Sequence, residues 1–267
     1  MVEPFLVDER RDYLVVYKPP RMHSAPLKTA PTDGMTAAES SEAVAVTLTE
    51  WLAQSHGEIM EARGRNPWEG GIVHRLDYET QGLVLFARNQ GALDSFMDQQ
   101  ERGLFIKEYG GIAAREKSPP VLPGFPPLPD FPPELPTAGL VSTSTDPKPI
   151  TTESGLTLES TFRPFGPGRK AVRPVMGGEG RVYRTGISGM EVQGEFTVFR
   201  LRLARGFRHQ LRCHLAWLGY PLLNDTLYSG PACTAFPFLT LRAQGMAFSD
   251  PADGERREYS LPPLGTP

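Results

Sequence analysis

The sequence lacks the features that define several large protein classes. Its 267 residues include only two cysteines, Cys213 and Cys233, which are too few for a disulfide framework and lack zinc-site spacing. No apolar run approaches the roughly 18 residues that a membrane-spanning helix needs. The first ten residues lack the basic and then apolar pattern of a secretory signal. These absences predict a soluble protein of the reducing cytoplasm, with no membrane segment and no metal.

An excess of basic charge is also missing, because the formal net charge is −3. A protein that coats nucleic acid without selectivity would be strongly basic, so any RNA must bind a local patch. Residues 163–184 offer such a patch, with one acid, Glu179, among six cations: Arg163, Arg169, Lys170, Arg173, Arg181 and Arg184. These cations either line an RNA-facing groove with nearby arginines of residues 200–208 or are scattered solubility charges.

Hydrophobic residues make up 39% of the chain, which indicates a globular protein. Eleven of the 27 prolines lie between Pro119 and Pro149, a composition that favours extended chain with few ladder hydrogen bonds. We interpret residues of about 117–150 as a surface insertion within a single domain over residues 1–267.

Hydrophobic periodicity predicts more strand than helix. Helices are expected near residues 47–62, 89–102 and 209–218. Apolar or alternating runs predict strands at residues 14–17, 82–87, 106–113, 196–203, 239–248 and 256–261. This distribution predicts an α+β fold with a mixed, mainly antiparallel central sheet and flanking helices.

Two segments carry candidate chemistry. Asp77 belongs to a polar cluster directly before the predicted strand at residues 82–87, and a rigid element that presents a carboxylate on a loop suits catalysis. Taken alone, an aspartate in such a loop is more often a cap or turn residue. In the second segment, Arg205, Arg208 and Arg212 lie near one helix face, which alone is usually a solvated face. His209 and His214 are five residues apart, on different helix faces, so we predict no metal site there.

Together these segments resemble the RluA-type family of RNA pseudouridine synthases. Residues 74–85 match the family signature H-R-L-D-x-x-T-x-G-L-L-L, and residues 206–214 match G-x-x-H-Q-x-R-x-H. Several spaced signatures in the right order are a stronger signal than one short motif. Further matches extend the resemblance over most of residues 12–262: residues 14–23, 107–109, 219–222, Asp225, Tyr228 and 241–251.

The resemblance implies a two-halved fold with a cleft, cofactor-free isomerisation of uridine in RNA, and a role for each matched residue. Asp77 matches the catalytic aspartate and Tyr109 a tyrosine that packs against the uracil. Arg212 matches an arginine that pairs with the catalytic carboxylate, in a bidentate form that lysine cannot reproduce. Arg75 matches an arginine that fills the gap left by the flipped base, and Leu83 an apolar wall of the pocket. The other signature residues expected at the substrate are His74, Arg208, His209 and Gln210.

The expected partner is structured RNA, a stem-loop of ribosomal or transfer RNA, bound by a monomer. Many members of the family carry a separate N-terminal RNA-binding domain; this chain begins almost directly with a predicted strand, so we expect a single catalytic domain without one. A non-catalytic RNA-binding protein on the same scaffold is the alternative. A nucleosidase or glycosidase would want a second carboxylate across the site, for which Glu79 is the nearest candidate. Several positions depart from the family pattern, and they put substrate identity in doubt: Gln81, Phe207, Arg208, Asn224, Arg242 and Asp250. Asn224 replaces a glycine and tolerates the left-handed backbone that glycine would supply.

Overall fold

The computed structural model describes residues 2–26, 46–116, 122, 124–127 and 156–265. Three α-helices occur in this part of the chain: α1 (Leu48–Ala53), α2 (Gln90–Glu101) and α3 (Gln210–Leu218). The strands are β1 (Phe5–Glu9), β2 (Tyr13–Lys18), β3 (Gln81–Ala87), β4 (Ile106–Ala114), β5 (Leu156–Phe165), β6 (Ala171–Val175), β7 (Tyr183–Gln193), β8 (Phe196–Leu203), β9 (Leu241–Ser249) and β10 (Arg256–Ser260).

These ten strands form one sheet in the order β1-β2-β3-β9-β4-β8-β7-β5-β6, and β10 pairs with β9. Every pairing is antiparallel except that of β3 with β9. The predicted α+β class with a mixed, mainly antiparallel sheet is therefore confirmed.

The two faces of the sheet bury separate apolar clusters, because successive strand side chains point to opposite faces. The first cluster contains Val84, Tyr109 and Leu201, with side chains from α1 and α3 packed on them. The second contains Leu83, with Phe96 of α2 packed on the other face. Helices therefore cover both faces, and the face that carries Tyr109 is the one against which α3 lies.

The pairing of β3 with β9 is a narrow seam between the two halves of the sheet. It comprises two residue pairs, Gln81 with Arg242 and Gly82 with Ala243. A Cβ atom at Gly82 would lie 2.1 Å from the carbonyl oxygen of Ala243, and the φ of Gly82 is +127°. Only glycine allows this approach without strain. The seam begins four residues after Asp77 and so places that carboxylate where the halves meet.

The predicted helix at residues 47–62 was wrong in its length. Thr47 and Glu50 form a capping box at the start of α1, but the α-helix ends at Ala53. A 3₁₀ helix, Gly57–Glu61, follows, since serine, histidine and glycine at residues 55–57 are weaker helix formers. Strands β1, β5, β6 and β7 were not predicted. The proline-rich insertion lies largely outside the described residues.

No helix in the described part of the chain is long and apolar enough to span a membrane. Its two cysteines are free thiols, buried at Cys213 and half-buried at Cys233.

We predict that Gly82→Ala lowers the free energy of unfolding by about 3 kcal/mol or more, because the new methyl group meets backbone that cannot move aside. Chemical denaturation followed by circular dichroism measures this change.

Gly254→Ala is the matched control. Gly254 also has a positive φ, +76°, but a Cβ atom added there would have no other atom within 4 Å. The substitution should cost only the strain of a left-handed backbone, about 1 kcal/mol. Equal losses in the two variants would show that the close approach at the seam is unimportant.

Candidate active site

The loop that carries Asp77 is tied to the segment after β2. The Ser24 hydroxyl donates to the Leu76 carbonyl at 2.8 Å and accepts from the Leu76 amide at 3.0 Å. The Lys18 ammonium donates to the carbonyl oxygens of Met22 at 2.7 Å and Tyr78 at 3.3 Å. These bonds fix the backbone on both sides of Asp77, so its carboxylate is presented from a constrained loop.

Lys18 is a buried amine close to this carboxylate. Burial lowers its pKa to about 7, although the negative charges of Asp77 and Glu79 oppose the shift. Its role was missed in the sequence, where Lys18 counted only as one of the matched residues 14–23. The proximity of Lys18 to Asp77 follows only from the fold, which brings the end of β2 next to the Asp77 loop.

Arg212, in the first turn of α3, forms a buried bidentate ion pair with Asp225. Its Nε lies 2.7 Å from Oδ2 of Asp225 and its Nη2 2.6 Å from Oδ1. Burial disfavours the charged guanidinium, but the hydrogen bonds and charge of Asp225 outweigh that effect, and the pKa of Arg212 is raised. The arginine is therefore a permanent cation held in a fixed plane.

The same guanidinium faces Asp77, with Nη1 of Arg212 3.9 Å from Oδ2 of Asp77. The expectation of a bidentate pair between these two residues was wrong, because Asp225 occupies the bidentate edge. Arg212 instead bridges two carboxylates, one fully buried and one 24% exposed. This arrangement places a compensating cation beside Asp77 without locking its carboxylate in a bidentate pair.

His209 is the second side chain facing Asp77. Its Nε2 lies 4.0 Å from Oδ2 of Asp77, and its backbone is left-handed, with φ +55°, at the N-cap of α3. Burial lowers the pKa of His209 from its ordinary value, although Asp77 opposes the shift, and so favours the neutral ring. The cationic partner of Asp77 at this edge is therefore Arg212, assisted by the positive end of the α3 dipole.

Tyr109 of β4 is 6% exposed and belongs to the cluster against which α3 packs. Burial and then the negative charge of Asp77 raise its pKa, so the hydroxyl stays protonated. The structure thus brings Asp77, Tyr109 and Arg212 together from a loop, a strand and a helix that are distant in sequence.

Two residues expected at the substrate lie elsewhere. Leu83 is buried in the cluster on the opposite face of the sheet, since strand alternation turns it away from Tyr109. Gln210 is buried, and its amide nitrogen donates to the Arg184 carbonyl at 2.9 Å and to the Thr185 hydroxyl at 3.0 Å. We correct both assignments: Leu83 packs the core, and Gln210 fastens α3 to β7.

The remaining residues expected at the substrate differ in their solvent exposure. Arg75 is 56% exposed and pairs with Glu69 at 2.7 Å. Arg208 is exposed, and its guanidinium donates to the carbonyl oxygen of Arg169 at 2.9 Å. His74 is half-buried, but both its ring nitrogens are buried without a hydrogen-bond partner in the described structure. The two arginine side chains are therefore accessible to an RNA backbone, whereas the ring nitrogens of His74 are not.

Asp225 was recognised in the sequence only as a family match, without a role. It follows Asn224, whose φ of +62° confirms the predicted left-handed backbone. Its carboxylate also accepts from the backbone amides of Leu227 and Tyr228. The Tyr228 ring lies under Arg212, 5.5 Å from its guanidinium carbon. The sequence gives no signal that Asp225 pairs with Arg212, thirteen residues earlier.

His214 serves packing rather than chemistry. Its Nε2 lies 2.9 Å from the Ser160 hydroxyl and its Nδ1 2.8 Å from that of Thr185. Burial lowers the pKa of His214 to about 3. No group of three or more histidine, cysteine, aspartate or glutamate side chains within the described ranges is placed to hold a metal.

Comparison with known proteins assigns the family. A family model described as RNA pseudouridylate synthase matches residues 12–217, most of the chain. The chain therefore belongs to the RNA pseudouridylate synthase family, and the resemblance seen in the two signatures is confirmed.

Curated relatives agree with this assignment. An uncharacterized RNA pseudouridine synthase of Chloroflexus aurantiacus is 29% identical over 194 residues, which cover 72% of this chain and 49% of that protein. The ribosomal large subunit pseudouridine synthase D of Haemophilus ducreyi is 28% identical over 206 residues, covering 72% and 52%. The chain thus spans about half the length of these relatives.

Solved structures share the fold. Human RNA pseudouridylate synthase domain containing 1 superposes with a TM-score of 0.58 at 18% identity, covering 97% of this chain and 83% of that one. Human RNA pseudouridylate synthase domain containing 4 gives 0.56 at 16% identity, covering 97% and 88%.

We predict that Arg212→Lys lowers pseudouridine formation at least about a hundredfold, because one ammonium cannot hold Asp225 in two bonds and also face Asp77. Single-turnover assays of the variant beside the wild-type protein measure the loss. Arg102→Lys is the control, since Arg102 forms only an exposed pair with Asp98. Equal rates for both variants would remove Arg212 from the site.

We also predict a pH effect of His214 on stability. Because its folded pKa is about 3, the unfolded chain binds more protons between about pH 6.5 and 3, and stability falls as pH falls through that window. His214→Gln should remove about 1.4 kcal/mol per pH unit from this slope. Denaturant unfolding from pH 6 to 4 tests this, with His56→Gln at a half-buried site as control; identical slopes for wild type and His214→Gln would contradict it.

Proposed function

We propose that this protein isomerises specific uridines to pseudouridine in structured RNA, with Asp77 as the catalytic carboxylate. The observation that carries the proposal is the placement of Asp77 at the sheet seam, 3.9 Å from a buried arginine that Asp225 holds in a fixed plane. A carboxylate stays ionised in a partly dry site when such a cation is beside it.

The reaction needs little beyond these side chains. The bond between C1′ and N1 breaks, a bond between C1′ and C5 forms, C5 gives up a proton and N1 gains one. Neither a redox change nor net hydrolysis occurs, so we propose that no cofactor takes part. Asp77 acts as nucleophile or as proton acceptor. Tyr109 supplies a flat face for the uracil, and its protonated hydroxyl can donate a hydrogen bond.

A uridine inside folded RNA must leave its stack to reach Asp77, at a cost of a few kcal/mol. Exposed Arg75 and Arg208 are suited to contact the RNA, the first filling the gap left by the flipped base. Five cations near the site have no carboxylate partner among the described residues: Arg163, Arg169, Lys170, Arg173 and Arg208. They support an RNA-facing surface over scattered solubility charge.

The proposed substrate is a stem-loop of ribosomal or transfer RNA. Ribosomal RNA is the first candidate, since several relatives are named ribosomal large subunit pseudouridine synthase D. We further propose that the protein acts in the cytoplasm, as a monomer, because each of the three proposed catalytic side chains comes from this one chain.

A hydrolytic enzyme with paired carboxylates fits the geometry less well. Glu79 lies 3.6 Å from Arg21, in an exposed ion pair. Asp225 is the other carboxylate near the site, but it is fully buried in its bidentate pair. Neither is free to activate water opposite Asp77. A non-catalytic RNA-binding role remains the second candidate, favoured only by the exposed cations.

The test is a pseudouridine map of total cellular RNA from cells with and without the gene. We predict that one or a few uridines lose modification without it, and that the wild-type protein restores them. Asp77→Asn should bind RNA as well as wild type yet restore none, because the amide is neither a nucleophile nor a base.

Two outcomes would contradict this proposal. Restoration by Asp77→Asn would exclude Asp77 as the catalytic residue. A map that does not change, together with crosslinking of the protein to RNA, would support the non-catalytic RNA-binding protein instead.

A further inference from the structure

A column of aromatic rings runs outward from the core beside α3 and ends at the surface. The Trp217 and His214 rings are fully buried, with centroids 6.1 Å apart. Phe162 of β5 lies 5.0 Å from His214, and Phe207 stacks on Phe162 at 5.0 Å with an interplanar angle of 4°. Tyr183 of β7 lies 4.9 Å from Phe207 at a tilt of 48°. Phe207, at the outer end of the column, is 36% exposed as a whole residue despite these contacts.

The exposed ring is held in place rather than loosely attached. The Phe207 amide donates to the Gln210 side-chain oxygen at 3.0 Å, and the Gln210 amide nitrogen is anchored on β7. Fixing the ring before binding reduces the entropy that a partner must overcome. Phe207, with its ring stacked on Phe162 and its backbone bonded to Gln210, therefore presents a preformed aromatic surface.

The column ends close to the proposed reaction centre. Phe207 is two residues before His209, whose ring faces Asp77 at 4.0 Å, and two residues of chain span at most about 7 Å. Next to Phe207, Arg208 extends toward the β5–β6 hairpin by donating to the carbonyl oxygens of Arg169 and Ala171. Residues 160–178 of that hairpin region contain four cations and no acid: Arg163, Arg169, Lys170 and Arg173.

An aromatic face among such cations has the chemistry of a single-stranded nucleic-acid site. Bases stack on aromatic rings with about 1–3 kcal/mol each, while cations bind the phosphates. We propose that Phe207 is a stacking platform for an unpaired base next to the target uridine, and that Arg208 and the hairpin cations bind the adjoining phosphates. The inference rests on the proposed function for the identity of the RNA, and it adds that the substrate is unpaired beside its target.

The test is fluorescence-anisotropy titration of a labelled oligouridylate of about ten nucleotides, which is within usual site sizes. Phe207→Ala should weaken binding about tenfold or more, whereas Phe207→Trp should keep wild-type affinity because it keeps the stacking face. A fully paired RNA duplex of the same length should bind both variants alike. Circular dichroism melting confirms that each variant is folded.

Phe5→Ala is the matched control. Phe5 is 47% exposed and stacks on Tyr17 at 4.8 Å, but it lies on β1, at the opposite edge of the sheet from β6. Its loss should leave the affinity unchanged. Equal weakening by Phe5→Ala, or full affinity of Phe207→Ala, would overturn the proposal. Lower thermal stability of Phe207→Ala at unchanged affinity would instead show that protein covers the ring.

A pseudouridine assay of the wild-type protein, run beside the binding titrations, separates this proposal from the proposed function. If binding depends on Phe207 but the protein forms no pseudouridine, the stacking platform is supported and the proposed enzymatic function is rejected. Pseudouridine formation with affinity that does not depend on Phe207 would do the reverse.

Discussion

The buried ion pair between Arg212 and Asp225 is the constraint on which the site depends. A buried pair recovers its desolvation cost only with good geometry and further hydrogen bonds, and replacement by apolar residues is often neutral for stability. Here the geometry is bidentate, and the Asp225 carboxylate also accepts two backbone amides. The pair holds the Arg212 guanidinium in one plane, with its remaining edge toward Asp77. A cation that is fixed before substrate arrives needs no reorganisation during the reaction.

The surrounding structure serves to hold this pair opposite the loop of Asp77. The left-handed backbone of Asn224 turns the chain so that Asp225 reaches back to α3. A Cβ atom at Gly230 would lie 1.9 Å from the Leu222 carbonyl, so the turn closes tightly around the aspartate. Two departures from the family pattern meet at the seam, where Nη2 of Arg242 donates to the Gln81 side-chain oxygen at 3.1 Å. The unusual residues there form one contact, so they support the seam together and leave the three central side chains untouched.

Elements with a clear period could be predicted from the sequence, and contacts across the fold could not. The alternation of residues 196–203 gave β8 its observed bounds, because Phe199, Leu201 and Leu203 face the core. The hairpin of β5 and β6 escaped prediction, since Pro164 and Pro174 lie within its strands and proline usually indicates a strand end. The family resemblance predicted that Asp77, Tyr109 and Arg212 meet at one site. It could not reveal that Arg212 gives its bidentate edge to Asp225, because pairing depends on the path of the loop after α3.

The most direct test of the role of the Arg212–Asp225 pair is the single-turnover rate of pseudouridine formation by Asp225→Asn. RNA affinity and folding are measured on the same preparation. An amide keeps the size of Asp225 but loses its charge and one acceptor, so Arg212 is no longer held toward Asp77. We expect a rate at least about a hundredfold below wild type, with unchanged affinity for RNA in a folded protein. A wild-type rate in the folded variant would show that the Arg212–Asp225 pair does not organise the site.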